Sequence, residues 1–163
     1  MSSSSADWFE AAPFGPTDAR GHASPEDGLR FRCTQCGNCC TGAPGTVALS
    51  EEDIAALSSR LGLAEEDFTQ QYTKPMDGGL SLTERLTAHG WDCVFLDRQS
   101  VPGKAVCALY EDRPQQCRTW PFWKKNLETL RSWDQASRVC PGMNSGPLHE
   151  SATIRLTREQ SPI

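Results

Sequence analysis

The run Cys33-Thr34-Gln35-Cys36-Gly37-Asn38-Cys39-Cys40 places four thiols within a single short segment, and its reading governs the rest of the chain. Two residues between cysteines let a tight turn aim both sulfurs at one metal, and Gly37 supplies the backbone freedom that such a turn needs. Three thiols at this spacing also match the run that wraps a four-iron cluster, where a remote cysteine completes the set. The spacing therefore points to metal without choosing between zinc and an iron–sulfur cluster. Side chains of neighbouring residues diverge in helix and strand. Cys39 and Cys40 are accordingly expected to serve two centres, or to leave one of the pair spare.

Downstream, Cys93, Cys107, Cys117 and Cys140 can supply the remaining ligands. All eight cysteines are candidate ligands, enough for two four-thiolate sites or for one such site with additional thiols. Either a zinc tetrathiolate or an oxidised four-iron cluster is anionic and is helped by nearby cations and amide donors. Arg32, Arg113 and Arg118 flank cysteines, and Tyr110, Arg113 and Arg118 are the candidate cofactor-contacting residues. His22, His89 and His149 lack paired spacing and read as ordinary polar residues rather than ligands.

The chain has 163 residues, a hydrophobic fraction of 37%, 13 glycines and 11 prolines. That composition limits the core one domain can bury, and chains short of core commonly add a metal or disulfides. The net charge of −5 and the lack of a basic run argue against a nucleic-acid partner. No apolar stretch approaches the ~20 residues needed to cross a bilayer, so no membrane partner is expected. The N-terminus lacks the basic start and apolar centre of a secretory signal. A cytoplasmic location follows as the expectation, and in that reducing compartment clustered cysteines favour metal over disulfides.

Residues 1–30 read as a flexible N-terminal tail whose Trp8, Phe9 and Phe14 can dock on the body. Residues 31–142 form the cysteine-cluster metal-binding domain, and 143–163 a polar C-terminal extension. Ser50 is placed to cap a helix, with Asp53 closing a reciprocal box, Ile54, Leu57 and Leu61 on one face, and Gly62 as its stop. A second helix is expected over 64–72, burying Phe68 and Tyr72. Extended segments are expected at 91–96 and 105–109, parted by the Pro102-Gly103 turn, each carrying one cysteine. A short helix opening at Arg113-Pro114 carries Cys117, and another spans 124–137 with Leu127, Leu130 and Trp133 inward. The fold class is α+β: a small, α-rich, irregular domain organised around a cysteine metal centre.

Taken in order, CTQCGNCC at 33–40, CVFLD at 93–97 and CALYEDRPQQCRTWPF at 107–122 resemble the YkgJ-type CxxCxxCC family, a zinc- or iron-chelating cysteine-cluster domain. The resemblance runs from about residue 31 to Cys140-Pro141-Gly142. It implies ligand roles for Cys33, Cys36, Cys39, Cys40, Cys93, Cys107 and Cys117, with Cys140 as an eighth. Tyr110, Arg113, Pro114, Arg118 and Pro121 match the family's later segment, while Trp120 stands where Phe is commoner. Metal binding is implied, but no particular reaction. A related cysteine cluster occurs in flagellin lysine N-methylases, so a metal-dependent enzyme is an alternative by analogy. A structural zinc module for protein interaction is another, and an unidentified protein or redox partner is the partner class these readings require.

Overall fold

The computed structural model describes residues 6–161 and 163. In chain order the elements are β1 (Leu29–Phe31), β2 (Ala48–Leu49), α1 (Glu51–Leu61), α2 (Glu65–Tyr72), β3 (Thr73–Met76), β4 (Gly79–Leu82), β5 (Glu84–Thr87) and β6 (Gly90–Cys93). They continue with β7 (Leu96–Asp97), β8 (Val106–Cys107), α3 (Gln115–Thr119), α4 (Lys124–Leu127), α5 (Leu130–Ser137), β9 (Met143–His149) and α6 (Ser151–Gln160). Short 3-10 turns cover Trp8–Ala11, Asn38–Cys40 and Tyr110–Asp112. This is an α+β chain with small antiparallel sheets. It divides into two compact units, a terminal one built from the described residues up to 34 together with 121–161, and a central one spanning 35–120.

In the central unit, α1 forms where the local signals predict. Ser50 Oγ accepts from Asp53 N and Asp53 Oδ2 accepts from Ser50 N, both at 3.1 Å, and Gly62 ends the helix with a φ of 67°. Strands β2, β4 and β3 make one sheet, β5 pairs with β6, and β7 pairs with β8. The core gathers Leu57, Phe68, Leu82, Phe95 and Leu109, with Tyr72, Cys93 and Cys107 packed against it. Burying a Leu or Phe side chain of this kind contributes about 1.5–3 kcal/mol. Two cysteines are thus held by the core itself. The extended segments expected at 91–96 and 105–109 resolve into three short strands, because the chain leaves β6 at Val94 before pairing again as β7.

The terminal unit brings residues of the expected N-terminal tail together with residues of the expected C-terminal extension. Phe9, Ala12 and Leu29 are buried, and β1 pairs antiparallel with β9, with Leu29 opposite His149. Trp8 donates from Nε1 to Leu127 O at 2.8 Å, and Asp7 accepts from Arg155 of α6 at 2.9 Å. The scattered aromatics of the first thirty residues are what allows this, since each large ring buried offsets much ordering entropy. Residues 1–5 of the expected tail lie outside the described residues. The single helix expected over 124–137 is broken at 128–129, where Thr129 caps α5 by accepting from Ser132 N at 3.0 Å. The new start rotates Leu130 outward to 40% exposure, whereas Leu127 and Trp133 are buried as expected. Trp133 stacks on Phe122 with centroids 6.0 Å apart and donates to Asn144 Oδ1 at 2.8 Å. Among the described residues no helix is long and apolar enough to cross a membrane.

Candidate metal centre

Six of the eight cysteines, Cys36, Cys39, Cys40, Cys93, Cys107 and Cys117, belong to the central unit; Cys33 and Cys140 belong to the terminal one. There Arg32 N donates to Gly142 O at 3.1 Å, so the stretches carrying Cys33 and Cys140 run side by side. None of the eight cysteines is in a disulfide.

The loop through Cys36–Cys40 is shaped by close backbone contact. Gly37 sits at a φ of 76°, and a Cβ there would stand 2.5 Å from the Ala105 methyl. Gln35, before Cys36, also takes a positive φ of 56°, a conformation that costs a side-chain-bearing residue about 1–3 kcal/mol. It is held there by Ala105 N, which donates to Gln35 O at 3.1 Å. The turn then closes as Cys40 N donates to Gly37 O at 2.9 Å. This 3-10 turn brings Cys39 Sγ and Cys40 Sγ to 3.6 Å. The expectation that adjacent side chains diverge is corrected here, because it holds for helix and strand but not for this turn.

Beyond Cys40, Gly42 O accepts from Trp91 N at 2.8 Å, and Gly90, at a φ of 111°, has no room for a Cβ against that carbonyl. Asp92, 1% exposed, accepts from Thr41 Oγ1 and takes two hydrogen bonds from Arg98, each 2.9 Å. These bonds from Arg98 hold the Asp92 carboxyl well below the usual carboxylate range, against the opposing effect of burial. Cys93 follows on the end of β6, and Cys107 lies on β8 opposite Leu96. Cys117 rides on α3, which is anchored at two points. Gln115 N donates to Asp53 Oδ1 at 3.0 Å, and the Gln116 amide bridges Ala48 N and Thr46 O at 2.8 and 2.9 Å.

Five of these thiols feel one another's charge. The hydrogen bond from Cys40 lowers Cys39 to about 7, with burial opposing and Arg113 helping. Cys40 is pushed up by that same shared proton, by burial and by the charges of Cys39, Cys117 and Cys93. Burial raises Cys93 to about 11, a hydrogen bond from the Phe95 backbone works against it, and Cys107, Glu84 and Cys39 add to the rise. Cys117 is raised by burial and then by Cys93, Cys39 and Cys107, while Arg113 works the other way. A cluster whose members obstruct one another's ionisation is one that a bound cation relieves, so an all-sulfur donor set fits zinc or iron. Among the described residues no group of three or more His, Cys, Asp or Glu side chains is arranged as it stands to hold a metal ion.

Of the expected cofactor contacts, Arg113 acts electrostatically on Cys39 and Cys117. Its guanidinium lies 3.7 Å over the Tyr110 ring, and its Nε donates to Tyr110 O at 2.9 Å, so Tyr110 positions the charge. Arg118 is engaged elsewhere, donating to Gln115 Oε1 at 2.9 Å and standing 3.7 Å from Asp53 Oδ1. Sequence reasoning missed Thr41, Asp92 and Arg98. For two of them the signal was adjacency, since Thr41 follows Cys40 and Asp92 precedes Cys93; Arg98 had none. His149 sits by Phe31 O at 3.1 Å and against the Phe122 ring at 5.1 Å, which suits a packing role.

No solved structure matches the chain. One family model does, CxxCxxCC, described as "Putative zinc- or iron-chelating domain" and aligned to residues 32–141, a span that contains every cysteine named above. The chain belongs to the CxxCxxCC family.

Proposed function

We propose that the central unit binds one zinc or iron ion through thiolates drawn from Cys39, Cys40, Cys93, Cys107 and Cys117, and that the ion staples the unit together as an interaction module. The 3.6 Å separation of Cys39 Sγ and Cys40 Sγ carries this reading. Four thiolates at about 2.3 Å from one ion stand about 3.8 Å apart along the edge of their tetrahedron. In a four-iron cluster each thiolate holds a different iron, so its sulfurs stand wider apart. A structural role suits the architecture: β2, β7 and β8 are two-residue strands, and Cys93 and Cys107 already pack on the core. Ligands joined across such short elements convert binding energy into folding energy. Cytosolic residence goes with this reading, since a reducing compartment keeps thiols available as ligands.

A second reading is a four-iron cluster with a redox partner. What favours it is the surplus of thiols, five in mutual electrostatic reach and three more in the chain, together with the Cys33, Cys36, Cys39 spacing. Metal and sulfide analysis of anaerobically purified protein separates the two. About one zinc or iron per chain without acid-labile sulfide is the expected result. Iron with matching sulfide and broad visible absorbance replaces it with the cluster. Cys93→Ser and Cys117→Ser should each reduce metal content, and full retention in both would refute the ligand set.

A further inference from the structure

Asp92 is a buried carboxylate in a small unit, and burying such a group costs several kcal/mol unless its partners are well placed. Here they are. Arg98 grips it through two hydrogen bonds of 2.9 Å, and Thr41 donates a third. The two chain segments so joined are distant in sequence, yet each abuts a candidate ligand: Thr41 is covalently next to Cys40, and Asp92 to Cys93. A parallel backbone bond, Trp91 N to Gly42 O at 2.8 Å, repeats the connection one residue further out on each side. The side chain of Arg98 also brings a positive charge that interacts with Cys40. It lines an open cleft of about 540 Å³, so a shorter cation at this position meets no steric obstacle.

We propose that Thr41, Asp92 and Arg98 form a positioning clasp that sets the approach of Cys40 to Cys93 and thereby the metal affinity of the centre. The proposal rests on the thiolate-centre reading above. The carboxylate fixes distance, by tying the residue after one ligand to the residue before the other. The guanidinium has two effects: it keeps Asp92 in place and offsets negative charge that accumulates when thiolates gather around an ion. Losing Arg98 therefore leaves a buried anion beside an anionic centre, whereas losing Thr41 removes only the distance restraint.

The test uses the full chain, reduced and metal-free, titrated with Zn2+ against a competing chelator. Co2+ absorbance serves as a readout of coordination geometry, and thermal unfolding of the metal-free chain runs in parallel. Thr41→Val and Asp92→Asn should weaken Zn2+ binding about 10–100-fold and alter the Co2+ spectrum. Arg98→Lys should retain more affinity than Arg98→Gln. If Asp92→Asn fails to fold, Thr41→Val and the two Arg98 variants decide the matter. Unchanged Zn2+ affinity and Co2+ spectrum in these variants, with only the metal-free stability lowered, would make the network purely structural and overturn the clasp. Cys93→Ser is the control for the centre itself. If it loses metal while the clasp variants do not, the clasp alone fails. If Cys93→Ser binds as tightly as the parent chain, Cys93 is not a ligand and the clasp that sets its approach fails; if the parent binds no Zn2+, the centre fails and the clasp with it.

Discussion

Replacing Gly37 by alanine tests how the cysteine loop is held. The residue sits at a φ of 76°, where an L side chain costs about 1–2 kcal/mol. Its new methyl would also stand 2.5 Å from the Ala105 Cβ and 3.4 Å from Leu96 Cδ1. Ala105 is 5% exposed and its N–H is bonded to Gln35 O, so it cannot move away freely. Overpacking of this kind adds about 1–3 kcal/mol. Gly37→Ala should therefore lose about 2–5 kcal/mol in urea unfolding of the metal-free chain, read as a fall in midpoint at constant m. The steric share is separable. Ala105→Gly alone costs about 1–2 kcal/mol from the lost methyl and added backbone freedom. In the double variant it makes room for the new methyl, and the combined loss should fall short of the sum by about 1–3 kcal/mol. Gly37→Ala within about 0.5 kcal/mol of the parent, or strictly additive losses, would refute the argument that Gly37 is required by contact with Ala105.

Two further outcomes are expected. Arg113→Gln removes the cation that faces Cys39 and Cys117, and should weaken Zn2+ binding about tenfold in competition titration, with Arg113→Lys intermediate; equal affinities would remove Arg113 from the site. In the terminal unit, burial opposes ionisation of Asp7, but hydrogen bonds from Arg155 and Arg158 outweigh it and hold the carboxyl below its ordinary value of 3.8. A carboxylate lowered on folding adds stability above its unfolded pKa and loses it as pH falls through the folded value. The parent should thus lose stability faster than Asp7→Asn below about pH 4, as followed by thermal unfolding across pH. Parallel curves would show that the pair contributes nothing.

Helix α1 was legible because everything that specifies it is local: Ser50 and Asp53 at its start, Gly62 at its end, and Leu57 on the face between them. The second role of Asp53 was not legible, because its partner Gln115 lies 62 positions away and no spacing rule connects them. The β3–β4 hairpin carried a usable signal in Asp77-Gly78, but Pro75 within β3 disguised the strand. The inward expectation for Leu130 failed through one hydroxyl, since the Thr129 cap restarts the helix and turns that residue out. At the site, the spacing of Cys33, Cys36, Cys39 and Cys40 announced metal chemistry. Which thiols gather together depended on Gln35, Gly37 and Ala105, whose contacts span about seventy residues of sequence.

The partition of the chain also fixes an order of events during synthesis. The central unit is one continuous segment, 35–120, whereas the terminal unit needs β9 and α6 to cover β1 and pair with Asp7. At about 5–20 residues per second, translation of 121–161 takes ~2–8 s after Trp120 is added. Until residue 149 is added, Cys39, Cys40, Cys93, Cys107 and Cys117 have been made while the partner strand of β1 is incomplete. On the thiolate-centre reading, the nascent chain can therefore offer five of its candidate ligands to an ion before its two ends have come together.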